Sequence, residues 1–504
     1  MQKALEQLKK IDAEITALEG AQAVLEWDQQ VYMPERGVHA RSEQTAGLAA
    51  IVHQKNTDPV IGDLLDKLGV SDENPLGSAD LEDDDRRLVR EIHRDFQRAT
   101  RLPADLVSKI ARVTSIAQSV WAEARRKSQF SLFQPHLEEI VKLSLEVAER
   151  LGYEAHPYDA LVDQYEPEMT TAEIARVFRE LREALVPLVR DIAAARQIDN
   201  SVLLKAFPVD RQEAFSRATL EALQFDMSRG RLDRSVHPFT TSLGPDDVRL
   251  TTRYDEHFFP TALFGTIHEA GHGLYELGFS RRFRGTRLAS GASLGIHESM
   301  SRFWENVVGR SRAFWHHFYP VMKAEFPDQL SGVDLESFYR AINRVEPSLI
   351  RVEADEVTYS LHIILRFELE RMLIGGELRV ADLPHAWREQ SQDLLGIVPD
   401  SDANGVLQDI HWSGGAIGYF PTYALGNVYG LQFTSRMRTD IPAMDNLLRQ
   451  GDLVPVKAWL DEHIHSVGRS RTPGELCEEV TGEPMSAQPF IDYLTRKYTD
   501  IYDL

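Results

Sequence analysis

The sequence of 504 residues has a single cysteine, Cys477. One cysteine excludes an intrachain disulfide framework and is typical of a reducing compartment. No run of 18 apolar residues, which a membrane-spanning helix would need, occurs in the chain. The amino terminus, Met1 to Glu6, lacks the apolar core of a secretory signal. From these absences we expect a cytoplasmic protein without a membrane span.

Basic residues are also scarce. The chain has 56 Lys and Arg against 78 Asp and Glu, which gives a net charge of −22. Phosphate binding needs a basic surface, so nucleic acid and anionic membranes are disfavoured as partners. The 43% of hydrophobic residues suffice for a core, but the length exceeds what one compact core usually supports. We therefore expect one unit spanning 1–504, with two helical lobes and no separable linker.

The most informative stretch is His268-Glu269-Ala270-Gly271-His272. On a helix, two histidines four positions apart share one face and can bind one Zn²⁺. Glu269 would stand beside the open position of the metal, where a carboxylate can accept a proton from water. A helix is predicted by Pro260, which precedes the motif, and by the helical spacing of the surrounding apolar residues. The pattern by itself also fits a buried helix whose histidines are hydrogen-bonded.

A second block, Gly295 to Glu305, favours the metal site. Glu298 follows His272 by 26 residues, enough for a loop and the start of an antiparallel helix. The glycines and polar residues in between are typical of that loop. A glutamate from a second helix would complete a His₂Glu site with the fourth position open to water. Glu305, two turns further along, is the alternative third ligand.

Most of the remaining chain has helical periodicity, including one long helix predicted from Ile350 to about Leu373. The exception is 236–254, where two strands around Gly244-Pro245-Asp246 form a hairpin directly before the metal helix. Such a hairpin could pair with an extended peptide or could be purely structural. The glycine-rich segment 413–418 indicates backbone that runs close to a ligand or to another helix.

Several motifs together resemble the carboxypeptidase Taq (M32) family of metallocarboxypeptidases over essentially the whole chain. In order, they are His237-Pro238-Phe239, Asp247-x-Arg249-x-Thr251, the H-E-x-x-H motif, His297-Glu298-Ser299, Ile350-Arg351-x-x-Ala354-Asp355 and Gly405-x-x-Gln408-Asp409-x-His411-Trp412. One departure is Met300, where the family often has glutamine. This departure leaves Glu298 in place but removes any hydrogen bond that the glutamine would make.

The resemblance implies a mainly α fold similar to other helical gluzincins, with a long central groove and a small β-hairpin beside the metal helix. It also implies a homodimer that releases single amino acids from peptide C-termini with broad specificity. The implied cofactor is Zn²⁺, with Co²⁺ as the alternative. Two rival functions stay open at this point: a zinc endo-oligopeptidase of related fold and a non-catalytic peptide-binding scaffold.

The chemistry and the resemblance together assign roles to ten residues. The metal ligands are His268, His272 and Glu298, and the general base is Glu269. The tetrahedral oxyanion needs a further donor, for which His411, Tyr419 and Tyr423 are candidates, with Tyr423 favoured. A guanidinium is the side-chain group best suited to bind a terminal carboxylate, because it can donate two parallel hydrogen bonds. Arg351 is the first choice and Arg249, which could instead pair with Asp247, the second; His237 is expected to line the groove.

Overall fold

The computed structural model describes residues 1–504 as twenty α-helices and one three-stranded sheet. The first ten helices are α1 (Gln2–Val31), α2 (Val38–Asn56), α3 (Pro59–Lys67), α4 (Asp83–Arg101), α5 (Ala104–Lys127), α6 (Phe130–Leu151), α7 (Pro157–Val162), α8 (Thr171–Ala194), α9 (Val209–Ala222) and α10 (Pro260–Gly278). The strands β1 (Gly230–Arg234), β2 (Thr240–Gly244) and β3 (Asp247–Thr252) lie between α9 and α10.

The second half of the chain is helical. It contains α11 (Leu294–Arg302), α12 (Arg312–Glu325), α13 (Leu335–Ile342), α14 (Tyr359–Ile374), α15 (Leu383–Leu395), α16 (Pro421–Asp440), α17 (Met444–Gln450), α18 (Val454–His463), α19 (Pro473–Thr481) and α20 (Gln488–Tyr502). The predicted mainly α fold is therefore confirmed. None of these helices combines the length and the apolarity that crossing a membrane would require.

The apolar core has two parts. The larger cluster draws on elements from α5 to α20, and the smaller one joins α1, α3 and α4 to Phe283 and Leu288. Charged side chains connect the N-terminal helices to the rest of the chain. Arg287 binds Asp12 of α1 at 2.7 Å and Asp95 of α4 at 2.6 Å, and Arg469 also binds Asp95. The N-terminal helices thus have an apolar centre of their own, and these ion pairs join them to the rest of the chain.

The sheet has the order β1-β3-β2 and lies beside α10. The predicted hairpin is confirmed, since β2 and β3 pair antiparallel. Strand β1 pairs parallel with β3 and was not predicted, because Gly230–Arg234 contains one apolar residue, Leu232, and lacks a strand pattern. A Cβ on Gly273 of α10 would lie 2.8 Å from Leu250 of β3. The metal helix thus packs directly on one face of the sheet.

The predicted helix from Ile350 to Leu373 is wrong at its start. Arg351–Glu353 forms a separate 3₁₀ turn, and α14 begins only at Tyr359. The carboxylate of Asp355 accepts hydrogen bonds from the backbone N–H groups of Val357 and Thr358, both at 2.9 Å. Such local bonds from an aspartate compete with helix continuation and favour a new start. Arg351 therefore lies on a turn in front of α14.

Candidate metal centre and active site

Helices α10 and α11 bring the three predicted metal ligands together. One ligand atom each from His268, His272 and Glu298 lies within 4.8 Å of the others. The Nε2 atoms of His268 and His272 are 3.8 and 3.5 Å from Oε2 of Glu298. Two ligands bound to one tetrahedral zinc, each at about 2.1 Å, lie about 3.4 Å apart. The donor types and their spacing therefore fit a single divalent cation.

Two glycines allow the helices that form this centre to approach closely. A Cβ on Gly271 of α10 would lie 2.6 Å from the backbone oxygen of Met300 in α11. A Cβ on Gly426 of α16 would lie 2.6 Å from Cγ of Glu298. The side chain of Met300 is fully buried in the apolar core. Helix α11, which carries Glu298, is thus packed closely against both α10 and α16. A larger residue at either glycine would displace Glu298 or its helix.

Each histidine has a partner at Nδ1, which leaves Nε2 directed to the other ligands. Nδ1 of His268 lies 2.9 Å from Oε2 of Glu305. Nδ1 of His272 lies 2.6 Å from Nδ1 of His297, whose Nε2 lies 2.8 Å from Oε1 of Glu276. Outer partners of this kind fix the ring orientation and tautomer of a metal-binding histidine. Glu305 therefore supports His268 in the structure, and the three ligand atoms that converge are those predicted first.

The carboxylate of Glu298 is buried among cationic and polar groups. Its Oε1 accepts a hydrogen bond from Nε of Arg302 at 2.7 Å, and Ser301 Oγ lies 3.2 Å from Oε2. Burial alone would raise the pKa of Glu298, but Arg302 and the two histidines hold it below its usual range. Glu298 is therefore ionised at neutral pH, as a metal ligand must be.

Glu269 is buried beside the ligands and is held by the sheet. Its Oε2 lies 2.7 Å from Oγ1 of Thr240 in β2. Burial raises the pKa of Glu269, while the charge of His268 and the Thr240 hydroxyl oppose this rise. A carboxylate with a raised pKa accepts a proton more readily. The hairpin thus positions the predicted base, a function that its sequence did not reveal.

Arg351 is buried beside a second arginine, Arg366, and both bind the same aspartate. Its Nε and Nη2 lie 3.0 and 2.9 Å from Oδ1 of Asp409, and Nη1 donates to Tyr359 Oη at 3.2 Å. Oδ2 of the same carboxylate binds Nε of Arg366 at 2.7 Å. Two guanidinium groups therefore share one aspartate, so these three side chains together carry one net positive charge.

The side chain of Arg249 lies on the other face of the sheet. Its Nε and Nη2 bind the carboxylate of Asp247 at 2.9 and 2.8 Å, and its guanidinium stacks 4.2 Å from the ring centre of Trp27. Because side chains alternate along a strand, the contact of Leu250 with α10 places Arg249 away from that helix. The structure thus does not bring Arg249 to the metal ligands. His237 is exposed in the loop before β2.

His411, Tyr419 and Tyr423 form an aromatic group at the start of α16. Nε2 of His411 lies 3.3 Å from Oη of Tyr423, and the tyrosine rings are 5.3 Å apart. Tyr423 precedes Gly426, which packs on Glu298, by one helical turn. Burial lowers the pKa of His411 to about 4 and raises that of Tyr423 well above its usual value. Both groups are therefore neutral at pH 7, and Tyr423 keeps its hydroxyl proton.

The model of the family described as Carboxypeptidase Taq (M32) metallopeptidase matches residues 7–498. The chain belongs to this family. Carboxypeptidase 1 of Bacillus subtilis is 41% identical over 483 residues, which cover 96% of this chain and 95% of that protein. Thermostable carboxypeptidase 1 of Thermus thermophilus is 42% identical over 512 residues and 99% of each chain. The crystal structure of an M32 carboxypeptidase from Deinococcus radiodurans R1, 40% identical, matches the whole of both chains with a TM-score of 0.96.

M32 membership confirms the resemblance read from the motifs. The chain is a metallocarboxypeptidase, a hydrolase that acts on peptide bonds, and the two rival functions are not favoured. The family and the ligand triad together imply a divalent metal and peptide substrates.

The sequence analysis missed several residues that support the M32 site. They are Glu276, His297, Arg302, Tyr359 and Arg366. Glu276 and Arg302 carried a local signal, because they follow His272 and Glu298 by four positions on α10 and α11 and thus share their faces. His297 directly precedes Glu298 on α11, whereas Tyr359 and Arg366 reach the site from α14.

Proposed function

We propose that the metal of this carboxypeptidase is Zn²⁺, held by His268, His272 and Glu298, with Glu269 as general base. The observation that supports this proposal is the convergence of three ligand atoms within 4.8 Å, beside a buried carboxylate. Two imidazoles and one carboxylate are a ligand set that catalytic zinc sites use. Co²⁺ accepts the same ligands and is the alternative metal.

The bound metal would polarise the scissile carbonyl and lower the pKa of a water molecule. Glu269 accepts the proton of the attacking water and later returns it to the leaving amine. Thr240 holds the carboxylate of Glu269 in one orientation through its hydroxyl. Burial excludes bulk water from Glu269, which strengthens each electrostatic interaction at the site.

The oxyanion that forms on the substrate needs a donor from the protein. We assign this role to Tyr423, whose hydroxyl remains protonated and lies one turn before Gly426 on α16. Tyr423 Oη lies within hydrogen-bond distance of Nε2 of His411, so the histidine can orient the hydroxyl. Tyr419 packs against both side chains and limits their movement. Removing one oxyanion donor typically costs about 10²- to 10³-fold in kcat.

Exopeptidase action requires recognition of the terminal carboxylate, and we assign this to Arg351. Nε, Nη1 and Nη2 of Arg351 each engage Asp409 or Tyr359, but the two terminal nitrogens keep one further N–H each. The substrate carboxylate would supply the anion that balances Arg351 and Arg366 against Asp409. His237, exposed before β2, would line the path of the peptide.

The assembly and the location of the enzyme also belong to this proposal. We expect a single peptidase unit over 1–504, with a long groove, that forms a homodimer in the cytoplasm. The single buried cysteine is consistent with a reducing compartment. Light scattering at several protein concentrations measures the oligomeric state, and a strictly monomeric protein would contradict the dimer.

One peptide assay tests the central proposal. The metal-loaded protein, incubated with a mixed peptide library and followed by mass spectrometry, should shorten peptides by one C-terminal residue at a time. A chelator should stop the reaction, and Zn²⁺ should restore it. Glu269→Gln should keep one equivalent of metal and lose about 10²- to 10⁴-fold in turnover, because the amide cannot accept the proton. Internal cleavage products, or normal turnover of Glu269→Gln with metal present, would refute the assignment.

A further inference from the structure

A buried carboxylate on α14 holds the turn that carries His411. Glu370 is fully buried. Its Oε1 accepts a hydrogen bond from Nε1 of Trp412 at 2.7 Å, and its Oε2 accepts one from the backbone N–H of Gly418 at 3.0 Å. A third donor, Tyr158 Oη of α7, lies 2.7 Å from the same Oε2. Trp412 follows His411 directly and Gly418 precedes Tyr419, so Glu370 contacts both ends of the turn.

A second side chain of α14 holds the chain just before this turn. Arg366 is also fully buried and precedes Glu370 by four positions, so both residues share one face of the helix. Nε of Arg366 binds Oδ2 of Asp409 at 2.7 Å. In the chain, His411 thus follows Asp409, which Arg366 binds, and precedes Trp412 and Gly418, which Glu370 binds.

Gly418 adds a second constraint on the turn. Its φ of +92° is one that L side chains rarely adopt. A Cβ at this position would lie 2.8 Å from the backbone carbon of Leu161 in α7. The glycine-rich segment therefore passes close to another helix, one of the two alternatives that its composition indicated. Gly418 thus donates to Glu370 and lies against α7, which leaves the turn little room to move.

We propose that Glu370 is a positioning residue of the peptidase reaction, which acts through His411 by holding both ends of turn 411–418 against α14. The inference rests on the role assigned above to His411 as the partner of Tyr423. It adds a residue that contacts none of the three metal ligands.

The chemistry of the three donors explains why this position needs a carboxylate. An indole N–H and a backbone N–H can only donate, so both oxygens of Glu370 must accept. Glutamine has the same shape but one amide nitrogen, which would face a donor in either orientation. Burial raises the pKa of Glu370 to about 7 against the effect of the three hydrogen bonds. At pH 8 the Glu370 side chain is therefore mostly ionised, and activity measured at that pH is the activity of the carboxylate form.

The test uses folded, metal-loaded protein with one equivalent of Zn²⁺ and a single peptide substrate. Glu370→Gln should lower kcat/KM by about 10- to 100-fold, because one buried donor loses its acceptor. Tyr158→Phe, which removes one donor and creates no donor–donor contact, should lose less than about 3-fold. The zinc dissociation constant, measured by competition with a chelator, should be unchanged in both variants.

A double-mutant cycle separates positioning from general stability. If Glu370 acts through His411, Glu370→Gln should cost less than about 3-fold in a His411→Ala background. An equal loss in both backgrounds, or a loss of zinc affinity, would overturn the inference. Parental activity of His411→Ala would instead refute the role assigned to His411. If Glu370→Gln does not fold, Trp412→Phe removes one contact with the carboxylate intact, and the same cycle applies to it.

Discussion

Replacement of Arg351 tests how the enzyme distinguishes a peptide terminus from an internal bond. The overall charge of −22 repels a terminal carboxylate, so its capture must be local. A charge-assisted hydrogen bond contributes about 1.5–3 kcal/mol, which corresponds to about 10- to 150-fold in kcat/KM. Arg351→Ala should therefore slow the cleavage of a peptide with a free C-terminus by this factor.

The buried position of Arg351 adds a structural cost that the assay must separate. Without Arg351, Asp409 retains Arg366 as its partner at 2.7 Å, so the aspartate does not become an isolated buried charge. The substitution also removes the contact with Tyr359. Any resulting change in the shape of the site would affect all peptides alike, whereas loss of carboxylate recognition affects only free termini.

The assay compares a peptide with its C-terminally amidated form in the parent, Arg351→Ala and Arg351→Lys. The amidated peptide, already a poor substrate, should lose little further in Arg351→Ala. Arg351→Lys should recover part of the loss, because an ammonium cannot make the paired planar contact of a guanidinium. Arg249→Ala serves as the control and should leave the ratio of the two peptides unchanged. Equal losses for free and amidated peptides in Arg351→Ala would show that Arg351 is structural.

Three further predictions concern the metal centre. Glu298→Ala should release zinc, since two histidines leave it undercoordinated; parental affinity, measured with a chelating dye, would exclude Glu298 as a ligand. Glu305→Gln should keep the metal but weaken its binding by about 10- to 100-fold in the same titration, because Glu305 acts on the metal through His268, whose ring it orients. Gly426→Ala should lower both zinc affinity and stability, the latter by about 1–3 kcal/mol in chemical denaturation, because its Cβ would overlap Glu298. The control Gly47→Ala, whose Cβ would meet nothing within 4 Å, should not weaken zinc binding.

The local part of the site could be predicted because it follows from helix geometry. Histidines at 268 and 272 share a face on any α-helix, and Pro260 marks where that helix begins. The predicted end of α14 at about Leu373 is confirmed at Ile374, and the capping box of Thr170 and Glu173 at the start of α8 is a local signal of the same kind. In each case the interacting groups lie within a few residues of one another.

Strand β1 and the turn at Arg351 could not be read from local patterns. β1 contains one apolar residue and exists because β3 offers it a pairing edge. The segment 350–355 has a helical pattern, but the Asp355 carboxylate binds backbone N–H groups and separates it from α14. Both outcomes depend on hydrogen bonds that compete with the expected element.

The charge balance around the site was decided only by tertiary structure. The sequence by itself predicted the family, which is confirmed, and the candidate ligands and base, which the fold brings together, because all of these lie in short motifs. It left open whether Arg249 or Arg351 faces the site. The fold directs Arg249 toward Asp247 and Trp27 and places Arg351 with Arg366 around Asp409. Which ion pairs form depends on which distant elements are buried together, and periodicity within one segment carries no information on that.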